Sequence, residues 1–165
     1  NDYFTNIQRS DFMSLESVKQ YFKDNNLSFE IIEMGQSTAT VELAANALGV
    51  EPALIAKTMA FKLKDKNILI LSEGDARVDN RKFKDYFHTK AKMLSPDEVI
   101  EFTGHPVGGV CPFGLKTQMN IYLDESLKKF EYVYPAAGSP NSTVKITPEE
   151  LSKVTSGIWI DVCKK

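Results

Sequence analysis

Apolar residues recur at three- and four-residue steps from Ser14 onward. Leu15, Val18, Tyr21 and Phe22 form a helical stripe, with Ser14 as its N-cap and Asn25-Asn26 as its stop. Phe29, Ile31 and Ile32 predict a short strand within 27–34, broken at Gly35. Thr38 or Thr40 can cap a second helix, whose apolar positions Val41, Leu43, Ala44, Ala47 and Leu48 run up to Gly49, a suitable C′ residue. Pro52 then opens a helical turn through Ile55. From 57 to 64 the pattern alternates strictly, which is the period of a half-buried strand. Lys57 breaks the chemistry of that alternation, because it shares a face with Met59, Phe61 and Leu63.

Asp65-Lys66-Asn67 predicts a hairpin turn, after which Ile68 to Leu71 returns as an apolar strand. Asp79 starts a third helix through Phe87, and a short strand flanked by Lys90 and Lys92 ends at Leu94. Ser95-Pro96-Asp97-Glu98 and Thr147-Pro148-Glu149-Glu150 are capping boxes with proline at the first helical position, and Gly104 closes the first of these two helices. Further strands are expected at Met119–Leu123, Phe130–Tyr134, Ser142–Ile146 and Ile158–Ile160, with a helical turn beginning at Asp124. Strands joined partly by hairpins and partly through helices predict an α/β (α+β) architecture. Its centre would be a mixed, curled β-sheet or partial barrel surrounded by helices. Residues 1–12 show neither period; an expression remnant or a disordered arm is expected there, and one domain over 13–165.

Composition narrows the classes. The chain has 165 residues and a net charge of −2, so a nucleic-acid contact needs a local patch. Lys62, Lys64, Lys66, Arg77, Arg81, Lys82, Lys84, Lys90, Lys92 and Lys116 could make one, or could be an ordinary solvated surface. No apolar run approaches the roughly 20 residues of a membrane span. Cys111 and Cys163 make no disulfide framework, which fits a cytoplasmic protein. His88 and His105 lack metal-ligand spacing, so neither a metal nor another cofactor is expected.

Candidate chemistry centres on 104–116, where Gly108, Gly109 and Gly114 lie beside Pro106 and Pro112. Paired glycines strip side chains from the backbone, as at a close approach by another molecule, although a tight turn between strands fits the same spacing. A second loop of small residues covers 136–141, and the two could frame a narrow cavity with Lys57 at its rim. Backbone amides there could hold a developing oxyanion, which suits hydrolysis of an ester by an ordered water. Lys57 at the start of its strand could instead snorkel into solvent. Cys111 with His105 as base is a competing constellation, although a small buried thiol accounts for the same cysteine.

Three segments in order then make a resemblance: Ile55-Ala56-Lys57-Thr58, Gly108-Gly109-Val110-Cys111-Pro112-Phe113-Gly114, and Ala136-Ala137-Gly138 with Asn141-Ser142 ahead of Thr147-Pro148-Glu149-Glu150-Leu151. From about Ser14 onward the chain resembles the YbaK/ProX-type aminoacyl-tRNA deacylases, relatives of the editing domain of bacterial prolyl-tRNA synthetases. The resemblance implies a free-standing editing hydrolase that removes a small amino acid from tRNA for proline or a related tRNA. It implies the aminoacyl-tRNA acceptor end as partner, with prolyl-tRNA synthetase as a second. It puts Lys57, Gly108 and Gly109 in the catalytic set, and Met34, Thr38, Thr40, Thr58, Ala137, Gly138, Asn141 and Thr143 around the substrate. Members are thought to have no protein nucleophile, and serine commonly fills the place of Cys111. The alanine-specific branch resembles an asparagine at the place of Thr58 and a histidine in the late loop. The cysteine-specific branch resembles Ser-Gly-Gly where Ala136-Ala137-Gly138 stands, so neither specificity carries over. Two rivals remain open: a non-catalytic module binding the tRNA 3′ end or a synthetase, and a cysteine hydrolase using Cys111 and His105.

Overall fold

A computed structural model describes residues 14–165, so the expectations for 1–12 and for Met13 lie outside the described residues. Among the described residues, the first helix, α1, covers 14–24. It ends where Asn26 adopts a left-handed φ of 55° and Leu27 N–H donates to Phe22 O at 2.7 Å, a closure that satisfies the last carbonyls. The elements that follow are β1 (Glu30–Glu33), α2 (Val41–Leu48), β2 (Ile55–Lys62), β3 (Asn67–Glu73), α3 (Asn80–Phe87) and α4 (Pro96–Thr103). Then come β4 (Asn120–Asp124), β5 (Tyr134–Pro135), β6 (Ser142–Lys145), α5 (Pro148–Thr155) and β7 (Ile158–Ile160), with single 3₁₀ turns at Pro52–Leu54 and Glu125–Lys129.

Five strands form one mixed sheet in the order β5-β2-β3-β4-β7, and β1 pairs with β6 in a second, two-stranded sheet. Only β2 and β3 are antiparallel within the large sheet; β5, β4 and β7 all join in parallel. Bridges Val133–Ile146 and Ala136–Thr143 tie the small sheet to the edge of the large one, which gives the expected curl. Among the described residues no ladder closes a barrel.

β3 explains the apolar run 68–71. Its residues are buried on both faces: Leu69 and Leu71 join the cluster that contains α1 and the glycine loop, while Ile68 and Ile70 join Phe61 and Phe83 beneath α3. α1 is fastened onto the glycine loop by Phe22, whose ring meets Phe113 edge-on at 5.1 Å between centroids. Burying each ring contributes about 1.5–3 kcal/mol, enough to fix the loop's position.

Capping chemistry sets the helix ends. Thr40, not Thr38, accepts from Leu43 N–H and starts α2; Asp79 caps α3; Ser95 and Thr147 complete both capping boxes. Ser14 does not act as an N-cap, because it lies within α1 and its hydroxyl is bonded to His105. Three strands are shorter than their alternation predicts. The 27–34 strand narrows to β1, the expected 130–134 strand gives way to a bridge at Val133 and to β5 with only Tyr134 in common, and the strand ending at Leu94 reduces to a bridge between Phe61 and Met93. The last is cut short because the Ser95 box begins α4 one residue later.

Candidate functional site

β2 has an incomplete edge. β5 covers it only at Ile55 and Ala56, and at the far end Leu94 N–H donates to Ala60 O at 3.0 Å while Lys62 N–H donates to Lys92 O at 2.8 Å. Those bonds show that even-numbered residues of β2 aim their main chain at this edge. Thr58 N–H, Thr58 C=O and Ala60 N–H are therefore left without a neighbouring strand among the described residues. A cavity of about 320 Å³ opens there, bounded by the start of α2, by Met93, Leu94 and Pro96, by Val107, Gly108 and Val110, and by Ala136 and Thr143. Its walls are mainly Ala, Val, Leu and Ile side chains, with Val107 (60% exposed) and Met93 (58% exposed) at its mouth.

Against that apolar lining stand three hydroxyls. Among the described residues, Thr38 Oγ1, Thr58 Oγ1 and Thr143 Oγ1 are buried without a hydrogen-bond partner, and all three residues line the cavity. Thr38 and Thr143 are 6% and 2% exposed, so bulk water does not compensate them. Local bonding places them: Thr38 N–H donates to Pro140 O at 2.6 Å, and Thr143 is aligned by its bridge to Ala136. Thr40 reaches the same wall, but its hydroxyl is occupied by the α2 cap.

Lys57 also lines the cavity and is half-buried. It lies opposite Ser72, on the face shared with Phe61, Ile68 and Ile70, and its ammonium donates to Ala76 O. Its charge also acts on the Cys163 thiol, which burial and then Asp124 push up to about 12, with Lys57 opposing the rise. Lys57 thus approaches the sheet edge from the face opposite the glycine loop, held by one carbonyl and by no carboxylate among the described residues. Two of its three N–H bonds remain for a ligand.

The two small-residue loops do not face each other across a gap. They touch. A Cβ on Gly109 would sit 2.7 Å from the Gly138 carbonyl carbon, and Gly109 N–H is already given to Pro106 O at 2.9 Å in the turn that carries Gly108 at φ +94°. Gly109 is accordingly not available as an oxyanion donor. Gly108 is the residue of the pair on the cavity wall, where a Cβ would meet that of Ala39 at 2.9 Å. Gly138 packs against the Ser14 carbonyl and Ala137 is in the core, so Ala136 is the member of the late loop that lines the cavity. Asn141 and Met34 hold each other through two hydrogen bonds of 3.0 and 2.8 Å and support the wall from outside. Lys57, Thr38, Thr40, Thr58, Gly108 and Thr143 are thus brought together, whereas Gly109, Met34, Ala137, Gly138 and Asn141 form the layer behind them.

Cys111 and His105 meet, at 3.5 Å, but away from the cavity wall. His105 Nε2 donates to Phe113 O at 2.7 Å and Nδ1 accepts from Ser14, so neither nitrogen is free to take the thiol proton. Full burial pushes the Cys111 thiol up to about 12, opposite to what a nucleophile needs. The triad of Ser14, His105 and the Phe113 carbonyl instead locks α1 to the glycine loop. Burial holds His105 below its ordinary 6.5, against the opposing Phe113 bond. The unfolded chain therefore takes up a proton below about pH 6.5 that the folded state resists, so stability is full above that pH and falls beneath it. Melting temperatures between pH 7 and 5 are expected to decline, and His105→Gln is expected to flatten that slope while lowering Tm at pH 7. A slope unchanged by the substitution would assign it to other groups.

The open sheet edge gave no sequence signal, since alternation reports faces and not neighbours. Val107, Val110 and Ala136 fall within the two loops expected to frame a cavity, whereas Met93 on its wall was not anticipated. Among the described residues no group of three or more His, Cys, Asp or Glu side chains is placed to hold a metal, and no helix is long and apolar enough to cross a membrane.

A mixed sheet with a small, partly polar cavity across one strand's edge defines an α+β protein with a pocket of small-molecule size. The sequence assigns it further: residues 36–154 match the aminoacyl-tRNA editing domain, and the chain belongs to that family. It is 51% identical over 154 residues to YwhH of Bacillus subtilis (strain 168), an uncharacterized protein, covering 92% of this chain and 98% of YwhH. EbsC of Enterococcus faecalis, provisionally named a Cys-tRNA(Pro)/Cys-tRNA(Cys) deacylase, is 27% identical over 128 residues, covering 76% of this chain and 78% of EbsC. A crystal structure of a protein provisionally named a trans-editing enzyme for prolyl tRNA synthetase superposes with a TM-score of 0.86 at 31% identity, covering 92% of this chain and 98% of that one.

Proposed function

We propose that this protein is a trans-acting deacylase, residues 13–165 serving as one editing unit, that releases a small amino acid from a mischarged tRNA for proline or a related tRNA in the cytoplasm. The observation that carries the reading is the set of three unpartnered threonine hydroxyls in one apolar cavity. A buried hydroxyl without a partner costs about 1–3 kcal/mol, and a ligand with several polar atoms on a small frame recovers that cost. An α-amino ester on a ribose is such a ligand. Membership of the editing family and the deacylase name of EbsC support the same substrate class.

In this reading the ester carbonyl lies along the bare edge of β2. Thr58 N–H, Ala60 N–H and the main chain at Gly108 receive the oxygen as negative charge develops on it, and Thr58 C=O receives the α-ammonium. Lys57 adds a positive charge at the ribose end. Water adds to the carbonyl carbon, the bond to the ribose oxygen breaks, and the amino acid and the tRNA hydroxyl separate. No protein nucleophile takes part. The small aliphatic wall selects by size, at about 1–3 kcal/mol per methylene, so related small amino acids are expected to be accepted together.

The test is a panel of mischarged tRNAs assayed for release of the amino acid, run in parallel with Cys111→Ser. Release of small amino acids at the same rate by both proteins is expected. An inactive Cys111→Ser that still folds would restore the cysteine hydrolase, and tRNA bound with its ester intact would make the protein a binding module.

A further inference from the structure

A second depression lies on the α3 side of the molecule, lined by Asn80, Arg81, Lys84, Lys90 and Ala91. Three of its five lining residues are cations, and all three are exposed. None of them is in an ion pair among the described residues. Their neighbours differ: Lys62 is tied to Glu98 at 2.7 Å and Lys82 to Asp161 at 3.0 Å. In a chain of net charge −2, an unneutralised triplet converging on one groove is a local field of the sign that attracts phosphate.

Its position relative to the cavity gives it direction. Lys90 and Ala91 line the groove, Met93 and Leu94 line the cavity, and exposed Lys92 stands between them. Residues 90 and 93 are at most about 11 Å apart along an extended chain. One stretch of backbone therefore connects a site for a terminal nucleoside to a site for the phosphates that precede it.

We propose that Arg81, Lys84 and Lys90, with Lys92 as the link, form the phosphate track that holds the 3′ strand of the tRNA acceptor end while its last nucleoside occupies the cavity. The proposal rests on the deacylase reading for the identity of the RNA, but it concerns binding and is measured without catalysis. Phosphate contacts position a nucleic acid without reading its sequence, so the track serves any tRNA and leaves selection to the cavity.

The experiment compares the wild type, the triple variant Arg81→Gln/Lys84→Gln/Lys90→Gln, and a charge-matched control, Lys23→Gln/Lys153→Gln/Lys165→Gln, at exposed positions on α1, on α5 and at the C-terminus. Binding of uncharged tRNA is followed by fluorescence anisotropy between 50 and 200 mM salt. Each lost phosphate contact lowers the slope of log K against log salt by about 0.7–0.9. Over that fourfold salt range the wild type is thus expected to lose roughly 20- to 40-fold more affinity than the triple variant, with the control following the wild type. Hydrolysis of an aminoacyl-adenosine ester, which has no phosphates, is expected to be unchanged by the triple variant. Equal slopes for the wild type and the triple variant, or equal losses in the triple variant and the control, would overturn the track. Absence of ester hydrolysis by the wild type, with the slopes differing as expected, would remove the deacylase reading and leave the track standing.

Discussion

Lys57→Ala is expected to lower single-turnover deacylation by about 10²–10³-fold while the protein stays folded. The factor is that of one well-placed electrostatic group removed from a site partly closed to water. Lys57 is half-buried, has no carboxylate to neutralise it among the described residues, and lies at the start of the open edge of β2, so its charge is weakly screened where the ester would lie. The structural loss is small by comparison. The amine supports one carbonyl, that of Ala76, and removing such a bond at a partly exposed position costs about 1 kcal/mol. Lys57→Arg is not expected to rescue the rate, because a planar guanidinium cannot bond Ala76 O and present two further hydrogens in the same directions. Circular dichroism and tRNA binding verify the fold of each variant. Deacylation by Lys57→Ala at the wild-type rate would remove Lys57 from the mechanism.

Gly109→Ala is expected to be strongly destabilising, by about 3 kcal/mol or more. Its Cβ would lie 2.7 and 2.8 Å from the Gly138 carbonyl carbon and oxygen and 2.8 Å from Ser139 N, all of them main-chain atoms that no rotamer change can move. Gly108→Ala is the contrasting case. It meets Ala39 Cβ at 2.9 Å and Ala39 Cα at 3.2 Å, atoms as fixed as main chain but on a segment that borders the open cavity and can shift outward, and its φ of +94° costs an L-residue about 1–2 kcal/mol. Gly108→Ala is accordingly expected to fold, with a lower Tm and a narrowed cavity mouth, and Gly109→Ala to give little folded protein. Urea titration of both variants separates the cases. Similar losses in the two would mean that the loops separate at little cost and are not the rigid back wall described above.

These two glycines also show where reading the chain alone stops. Helix boundaries depend on residues a few positions apart, so Asp79, Ser95 and Thr147 as caps and Gly49 and Gly104 as C′ residues were legible from order, whereas the α2 cap was narrowed only to Thr38 or Thr40 and the structure assigns Thr40. So was the central strand, whose unbroken run of Ile68 to Leu71 requires cover on both faces. Of the candidate site residues, Lys57, Thr38, Thr40, Thr58, Gly108 and Thr143 lie on one cavity. Gly109, Ala137 and Gly138 carry the same small-residue signature and lie behind it, because a glycine that admits a ligand and a glycine that admits another main chain look identical in sequence.

What order along the chain determined by itself is the set of elements, their ends, and which positions are small or hydroxylic, since each depends on local sterics and hydrogen bonding. What only the tertiary structure decided is which strand edge is left bare, which threonine hydroxyls lose their water, and that His105 fastens α1 instead of activating Cys111. Each of those depends on groups far apart in sequence, because only packing decides which buried hydroxyl or amide is left without a partner that a ligand can supply.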